Sequence, residues 1–386
     1  MHNNHISERD LQLPHVEFPE ISRRIALDKN IISLGPGEPD FSTPKPLLEY
    51  GRKIIGKATH YSEPQGMMEL REAIVKKLHK ENNILADTTN IIVTCGSQEA
   101  IFSALLAAVD PTEQVLVPTP GYAGYTPAID LVSATPVFVP LSRDNGFELN
   151  SEVLKRYIDK QKSKVLILNS PSNPTGNVMS KKIMEEICDV AIENDLLIFS
   201  DEAYEHILYD GAKHTSIGSL NGMQEHVLTF HTFSKSYAMC GFRLGYCTGP
   251  QKFISEMNKD HHYITLGAPT ISQMMGIKAL TLDKKYVNQM VSEYKRRRDM
   301  IVPRLNEIGL PTLNPKGAFY TFSDITQYSN NSSKFSFELM NKAKVATIPG
   351  TEFGPFGECF IRCSFATEYH KIETALDRME KFLKHK

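Results

Sequence analysis

A series of short apolar runs constrains this chain more than any other feature. Residues 91–94, 115–117, 137–139, 165–168, 196–199 and 227–230 are rich in Val, Ile, Leu and Phe, and several hold no polar residue at all. A strand that is apolar on both faces must be covered on both faces, which is the condition of a parallel sheet wrapped in helices. The stretches between the runs carry helical spacing. From about Gln98, the residues Ile101, Leu105 and Val109 fall on one face, with Phe102 and Leu106 beside it. Ile183, Ile187 and Val190 mark a second helix, and Met68, Ala73, Ile74 and Leu78 mark a third after the turn at Gly66. Strand and helix in alternation predict an α/β fold whose large domain is built on a mostly parallel sheet flanked by helices.

The last third reads differently. A long helical region is expected over 269–305, and its basic run Lys295-Arg296-Arg297-Arg298 reads as a solvated helix face. Then follow an apolar run at 319–322, a Ser/Asn-rich loop at 329–333, a short apolar segment near Val345, another run at 361–365 and a terminal helix over 372–383. These predict a smaller α+β domain. With 386 residues the chain has room for two or three domains. The expected division is an N-terminal arm with a small-domain segment over 1–40, a large cofactor-binding domain over 41–290 and a small C-terminal domain over 291–386. Pro14, Pro19, Pro36 and Pro39 prevent the arm from being one helix. It is expected to pack on a neighbour or to return to the small domain.

Charge and composition exclude several function classes. The 45 acidic residues nearly balance 43 Lys and Arg, giving a formal charge of −2, whereas a nucleic-acid binder shows a basic excess. No apolar run approaches the ~20 residues of a membrane span. Met1 to Asp10 is polar and lacks a signal-peptide core, so a cytoplasmic protein is expected. The 6 cysteines are scattered and read as free thiols in a reducing compartment. Cys359 and Cys363 lack a second pair and clustered histidines, His261-His262 lacks metal-ligand spacing, and no metal is expected.

In a parallel sheet, ligands gather where the strands end. After 165–168 comes Asn169-Ser170-Pro171-Ser172-Asn173-Pro174-Thr175-Gly176. After 196–199 comes Ser200-Asp201-Glu202-Ala203-Tyr204, and after 227–230 comes His231-Thr232-Phe233-Ser234-Lys235. After 91–94, Cys95-Gly96-Ser97-Gln98 opens a helix. A helix N-terminus with small residues offers N–H donors to a phosphate, and a lysine can bond covalently to an aldehyde. A carboxylate can hold a pyridinium proton, and Asn and Tyr can hydrogen-bond a phenolate oxygen. Arg243, a little beyond Lys235, could add a bidentate contact to phosphate. Together these are the needs of pyridoxal phosphate. Each residue also has a plain structural use. Asp201 could cap a helix, Asn173-Pro174 could be a turn, Tyr204 could be core, and Arg243 and Arg362 could sit in surface ion pairs.

The stretch Ser234-Lys235-Ser236-Tyr237-Ala238-Met239-Cys240-Gly241-Phe242-Arg243-Leu244-Gly245-Tyr246 resembles the lysine signature of class I/II aminotransferases, which are fold-type I pyridoxal-phosphate enzymes, and in particular their bacterial aspartate/aromatic subgroup. Further stretches match in the family's order. They are Gly35-Pro36-Gly37-Glu38-Pro39-Asp40-Phe41, Tyr61 with Gly66, Asn173-Pro174-Thr175-Gly176, Ser200-Asp201-Glu202, Pro349-Gly350 with Phe353, and Ile361-Arg362-Cys363-Ser364. The resemblance implies that Lys235 bonds the cofactor and then carries the substrate proton, that Asp201 faces the pyridine nitrogen, and that Asn173 and Tyr204 bond the phenolic oxygen. It implies that Tyr122 stacks on the ring and that Ser97, Gln98, Thr232, Ser234 and Arg243 serve the phosphate. Arg362, with the backbone of Gly37 and with Asn173, would hold the substrate carboxylate. Tyr61 would reach the phosphate of the partner subunit, which implies a homodimer with shared sites. The Asn173-Pro174 bond is expected to be cis.

The resemblance implies amino-group transfer from an L-amino acid (aspartate, aromatic or similar) to a 2-oxo acid, foremost 2-oxoglutarate, by a ping-pong cycle. Aspartate-specific bacterial relatives carry a lysine near position 98, where this chain has neutral Gln98, and Thr232 replaces a usual Gly or Ser. The alternatives are a C–S lyase or cyclising synthase of the same fold, and a non-catalytic ligand-binding module.

Overall fold

Every one of the short apolar runs is a strand. The computed structural model describes residues 5–13, 17–220 and 222–386; Pro14 lies outside them. After β1 (Ile32–Ser33) come β2 (Ile91–Thr94), β3 (Gln114–Thr119), β4 (Thr135–Pro140), β5 (Ser163–Asn169), β6 (Leu197–Asp201), β7 (Val227–Thr232) and β8 (Gly245–Thr248). Strands β2 to β8 form a seven-stranded sheet in the order β2-β8-β7-β6-β5-β3-β4. β4, β3, β5, β6 and β7 are parallel, and β8 runs antiparallel to both β7 and β2. This is the expected α/β architecture, with one reversed strand that the apolar pattern does not reveal.

Side chains of β5 alternate between two cores because successive residues of a strand point to opposite faces. Val165 and Ile167 pack with Ile101 and Leu105 of the helix Ser97–Ala108, and with Ile254 and Met257 of the helix Gln251–Thr265. Leu166 and Leu168 pack on the other side with Met184, Ile187 and Val190 of the helix Lys181–Glu193. His261, in the helix Gln251–Thr265, is fully buried against Glu99.

The C-terminal part carries β9 (Tyr320–Asp324), β10 (Val345–Ala346), β11 (Ile348–Pro349) and β12 (Phe360–Ser364), with an antiparallel sheet in the order β11-β12-β9. The N-terminal segment returns to it: β1 pairs in parallel with β10, Ile32 opposite Val345. Before β1 lie the helices Glu8–Gln12 and Phe18–Leu27, the second with Pro19 in its first turn, where its missing N–H costs nothing. Ile21 of that helix packs with Phe147, Phe322 and Phe353.

Two expectations need correction. The helical region 269–305 is two helices, Thr270–Leu280 and Lys285–Glu307, because Asp283 turns its carboxylate onto the Lys285 N–H at 2.9 Å and starts the second one afresh. The basic run is not a solvated face. Arg297 and Arg298 are buried, since four consecutive helical residues sweep around the helix and half of them must face the packed side. Arg297 pairs with Asp40 at 2.8 Å and Glu293 at 2.9 Å, and Arg298 pairs with Asp210 at 2.7 Å. Lys295 and Arg296 stay in solvent.

Removing a buried partner leaves its counter-charges uncompensated, whereas surface pairs contribute little. Arg297→Ala should therefore lower the unfolding free energy by about 3 kcal/mol, and Arg296→Ala by less than about 1 kcal/mol. Urea unfolding of both variants checks this, and equal losses would contradict the assigned burial.

Candidate active site

Parallel strands of the large sheet, its one reversed strand and a strand of the C-terminal sheet deliver the site. β6 ends in Asp201, which is only 6% exposed. Tyr125 donates its hydroxyl to Asp201 Oδ2 at 2.6 Å, and the Ala203 N–H donates to Oδ1 at 3.1 Å. Burial pushes the Asp201 carboxyl above its ordinary range, and these two donors pull the other way. β7 ends in Thr232, whose side chain accepts the Ser234 N–H at 3.1 Å and so caps the short helix Phe233–Ser236. That helix carries Lys235. Its Nζ donates to the Gly37 carbonyl at 2.5 Å and lies 5.8 Å from the centre of the Tyr204 ring. Burial draws the Lys235 amine below its ordinary value, so the neutral, nucleophilic form is reached at lower pH than in water.

β5 ends in Asn169, whose side chain ties two neighbours together. Its Nδ2 donates to the Asp201 carbonyl at 3.0 Å, and its Oδ1 accepts the Asn173 N–H at 2.8 Å. Asn173 is buried and is joined to Pro174 by a cis bond, as expected; Thr119-Pro120 and Ser170-Pro171 are cis too.

The reversed strand explains Arg243. Because β8 is antiparallel, it enters the sheet at the edge where its neighbours leave, so the residues just before it stand beside their ends. Arg243 donates to the carbonyls of Cys240 at 3.1 Å and Cys95 at 3.3 Å. It lies over Gly96, the residue preceding the helix Ser97–Ala108, where unpaired backbone N–H groups face outward. Gly96 has φ +92°, and a Cβ there would sit 2.7 Å from the Arg243 guanidinium. Tyr122, after β3, donates its hydroxyl to Gln98 Oε1 at 3.0 Å. Gln98 is thus engaged in holding the Tyr122 ring.

Arg362 arrives from β12, on the C-terminal sheet. It donates to Asn173 Oδ1 at 3.0 Å and to the Gly35 carbonyl at 2.5 Å, and its buried Nε has no partner. The guanidinium stacks 4.5 Å from the Tyr320 ring and 4.9 Å from the Phe353 ring. The Tyr320 and Tyr204 hydroxyls are hydrogen-bonded at 2.7 Å.

These groups enclose a cleft of about 460 Å³, within the range of small-molecule sites. Gly37, Ser97, Gln98, Tyr122, Asn173, Asp201, Tyr204, Thr232, Ser234, Lys235, Arg243 and Arg362 all line it. Tyr61 does not. It is 84% exposed on the outer surface of the chain. Tyr320, Phe18, Glu352 and Phe353 also line the cleft; of these and Tyr125, which bonds Asp201, only Phe353 was named from the sequence for its resemblance, and none was given a role in the site. Only the pairing of distant segments brings them here, although Phe353 belongs to a stretch that carried the resemblance. Among the described residues, Glu202, Glu205 and His214 bring three potential metal-ligand atoms within 4.8 Å. Those atoms are occupied: Glu202 accepts from Ser216 and His214 bonds it at 2.8 Å, while Glu205 pairs with Lys77.

Residues 29–379 match the family described as aminotransferase class I and II. The chain belongs to that family. It is 47% identical to the aspartate aminotransferase of Pyrococcus abyssi and 44% identical to aromatic-amino-acid aminotransferase 2 of Thermococcus litoralis, over 93% of each chain in both cases. The crystal structure of an aromatic aminotransferase from Pyrococcus horikoshii matches with a TM-score of 0.90 at 46% identity, covering 95% of this chain and 99% of that one. The chain is therefore a transaminase with the fold-type I architecture, in a family whose members depend on pyridoxal phosphate. This sets aside the lyase, synthase and non-catalytic alternatives. The cleft fits the cofactor's parts. A desolvated amine suits its aldehyde, a buried carboxylate its ring nitrogen, a helix N-terminus beside an arginine its phosphate, and the orphaned Arg362 Nε a substrate carboxylate.

Gly96→Ala must place a side chain in a left-handed backbone and against Arg243. It should cost more than about 1 kcal/mol of stability and displace the guanidinium. A thermal melt and the affinity for pyridoxal phosphate, read together, check this. Wild-type values for both would refute the close approach.

Proposed function

We propose that this aminotransferase binds pyridoxal phosphate at Lys235 and moves the amino group of an L-amino acid to a 2-oxo acid, foremost 2-oxoglutarate, in a ping-pong cycle.

 The observation that carries this reading is the pair Asp201 and Lys235 on adjacent strand ends, both buried in one cleft, the acid held by two donors and the amine desolvated.

Bound pyridoxal phosphate supplies an aldehyde that takes an amine covalently and a ring that accepts the electron pair left behind when a Cα proton departs. The chain's own residues do the rest. Lys235 Nζ is the amine that meets the aldehyde. The same Nζ would take the proton from the substrate Cα, and burial makes its neutral form available at lower pH than in water. Asp201 would hold a proton on the ring nitrogen. Asn173 and Tyr204 would hydrogen-bond the phenolic oxygen, and Tyr122, whose hydroxyl Gln98 holds, would cover the ring. Ser97, Gln98, Thr232, Ser234 and Arg243 would hold the phosphate with the N-terminus of the helix Ser97–Ala108. Arg362, with Asn173 and Gly37, clamps the substrate α-carboxylate.

Donor choice follows from what remains of the cleft. Among the described residues lining it, the cations are Lys235, Arg243 and Arg362, and each has a role above. The cleft lining includes the apolar side chains of Phe18, Pro19, Ile348 and Phe353. That apolar lining favours an aromatic donor over aspartate, and neutral Gln98 agrees with it. The chain is read as an arm over 1–40, a large domain over 41–290 and a small domain over 291–386, with the arm returning through β1. Tyr61, exposed and outside the lining of the cleft, supports a homodimer in which it reaches the partner subunit's phosphate. The free cysteines agree with a cytoplasmic setting, and no helix among the described residues is long and apolar enough to cross a membrane.

Purified protein mixed with pyridoxal phosphate should turn yellow, and borohydride should fix the cofactor to Lys235, read by peptide mass. Lys235→Ala should bind cofactor and lose transamination. A colourless protein, or a Lys235→Ala variant with wild-type turnover, would refute the reading. Arg362→Lys should lower kcat/KM by about 10²-fold or more, because lysine cannot offer a bidentate fork. A panel of donors with 2-oxoglutarate, scored by glutamate formed, should favour phenylalanine and tyrosine over aspartate, with parallel double-reciprocal lines.

A further inference from the structure

Asp201 has a partner that the transamination roles above leave without a task. Tyr125 opens the helix Tyr125–Leu131 and is buried, with its ring edge-on to Tyr122 at 5.2 Å between centres. Ile129 and Ile167 belong to the same core. Its hydroxyl donates to Asp201 Oδ2 at 2.6 Å, within the range of a short, charge-assisted hydrogen bond. The other donor to this carboxylate is the Ala203 backbone N–H on Oδ1, 3.1 Å away. Each carboxylate oxygen has one further lone-pair direction free, and the residue lines the cleft.

A carboxylate this deep tends to take up a proton itself, because water no longer solvates its charge. The groups that face it are Tyr122 and Tyr125 beyond β3, Glu202 and Tyr204 beyond β6, and Lys235 beyond β7. Glu202 is an anion and disfavours the charge on Asp201, while Lys235 favours it from across the cleft. The phenol of Tyr125 is held far above its ordinary value, so it stays a donor at every working pH. A protonated Asp201 could not hold a proton on a pyridine nitrogen, since both groups would then compete to donate.

We propose that Tyr125 is a positioning residue: through its hydrogen bond to Oδ2 it keeps Asp201 anionic, turns the remaining lone pairs into the cleft, and so maintains the proton on the cofactor's ring nitrogen. This rests on the pyridoxal-phosphate reading above. The ring of Tyr125 serves packing, and the hydroxyl alone serves the site.

The test is Tyr125→Phe, which keeps the ring and removes the donor. Holoenzyme is loaded with pyridoxal phosphate labelled with ¹⁵N in the ring, and the ring-nitrogen shift is followed across pH. Wild type should keep the ring protonated through neutral pH, and the variant should lose that proton at a pH lower by about one unit or more. kcat should fall about tenfold with little change in donor KM. In an Asp201→Asn background, adding Tyr125→Phe should change the ring-nitrogen titration no further. An unchanged titration in Tyr125→Phe, an equal further effect in the Asp201→Asn background, or a variant that no longer folds would each overturn the proposal. Failure of wild type to bind the cofactor would refute the parent reading instead, so the two failures are separable.

Discussion

Two ionisable side chains buried in one cleft without touching each other set the terms for this structure. Asp201 and Lys235 leave water for the ends of neighbouring strands, and neither pairs directly with the other. Desolvation alone would neutralise both, raising the acid and lowering the base, and both shifts run in those directions. For the lysine that is useful, because a neutral amine is a nucleophile and a base. For the acid it would be harmful, because a neutral carboxyl cannot retain a proton on a ring nitrogen. The surroundings differ accordingly. Lys235 has a single carbonyl partner, Gly37, whereas Asp201 has two donors and a backbone anchored by Asn169. Burial sets the direction of both shifts, and hydrogen bonds oppose it at the acid.

The sheet makes this affordable in conformational terms. Side chains on rigid strand ends lose little further freedom when a ligand arrives. The single reversed strand adds what parallel strands cannot. β8 carries Arg243 to the side of the sheet where β2, β6 and β7 terminate, next to the N-terminus of the helix Ser97–Ala108. Two glycines keep that corner tight. Gly96 leaves room for the guanidinium, and a Cβ on Gly245 would lie 2.6 Å from the Ser97 backbone nitrogen. An anion cradle assembled from strand starts and strand ends together needs such a reversal somewhere in its sheet.

Much of this was legible in the residues. The strand runs were visible because burial on both faces removes most polar residues, and the residues after four of the runs were the chemical ones. β8 escaped notice because Gly245-Tyr246-Cys247-Thr248 is short, opens with glycine and looks like neither an alternating nor an all-apolar strand. The basic run at 295–298 misled because charge was read as exposure, while Asp40 and Asp210, the partners that permit burial, lie far away in sequence. Tyr125 was hidden for a related reason. It sits close to Tyr122 in the chain, yet its target is a carboxylate three strands later in sequence, and nothing local distinguishes a packing tyrosine from a donating one. Contacts between distant segments are what a pattern of neighbours cannot supply.

The same holds for the link between the two sheets. Tyr204 follows β6 of the large sheet and Tyr320 opens β9 of the C-terminal one, and their hydroxyls meet at 2.7 Å. Tyr320 also lies under the Arg362 guanidinium. A Cβ on Gly37 would fall 2.8 Å from the Tyr320 hydroxyl, so the N-terminal segment reaches this junction only because it has glycine there. Three parts of the chain therefore converge on one point: the large sheet through Tyr204, the C-terminal sheet through Tyr320 and Arg362, and the N-terminal segment through Gly35 and Gly37. A group that binds Arg362 and a group that bonds Tyr204 are held by the same contiguous network. Displacement of either sheet relative to the other must strain the phenol pair or the Arg362–Asn173 hydrogen bond before it alters the Asp201–Lys235 geometry. Substrate recognition and cofactor orientation are in this way mechanically coupled, and the coupling passes through side chains that carry no charge transfer of their own.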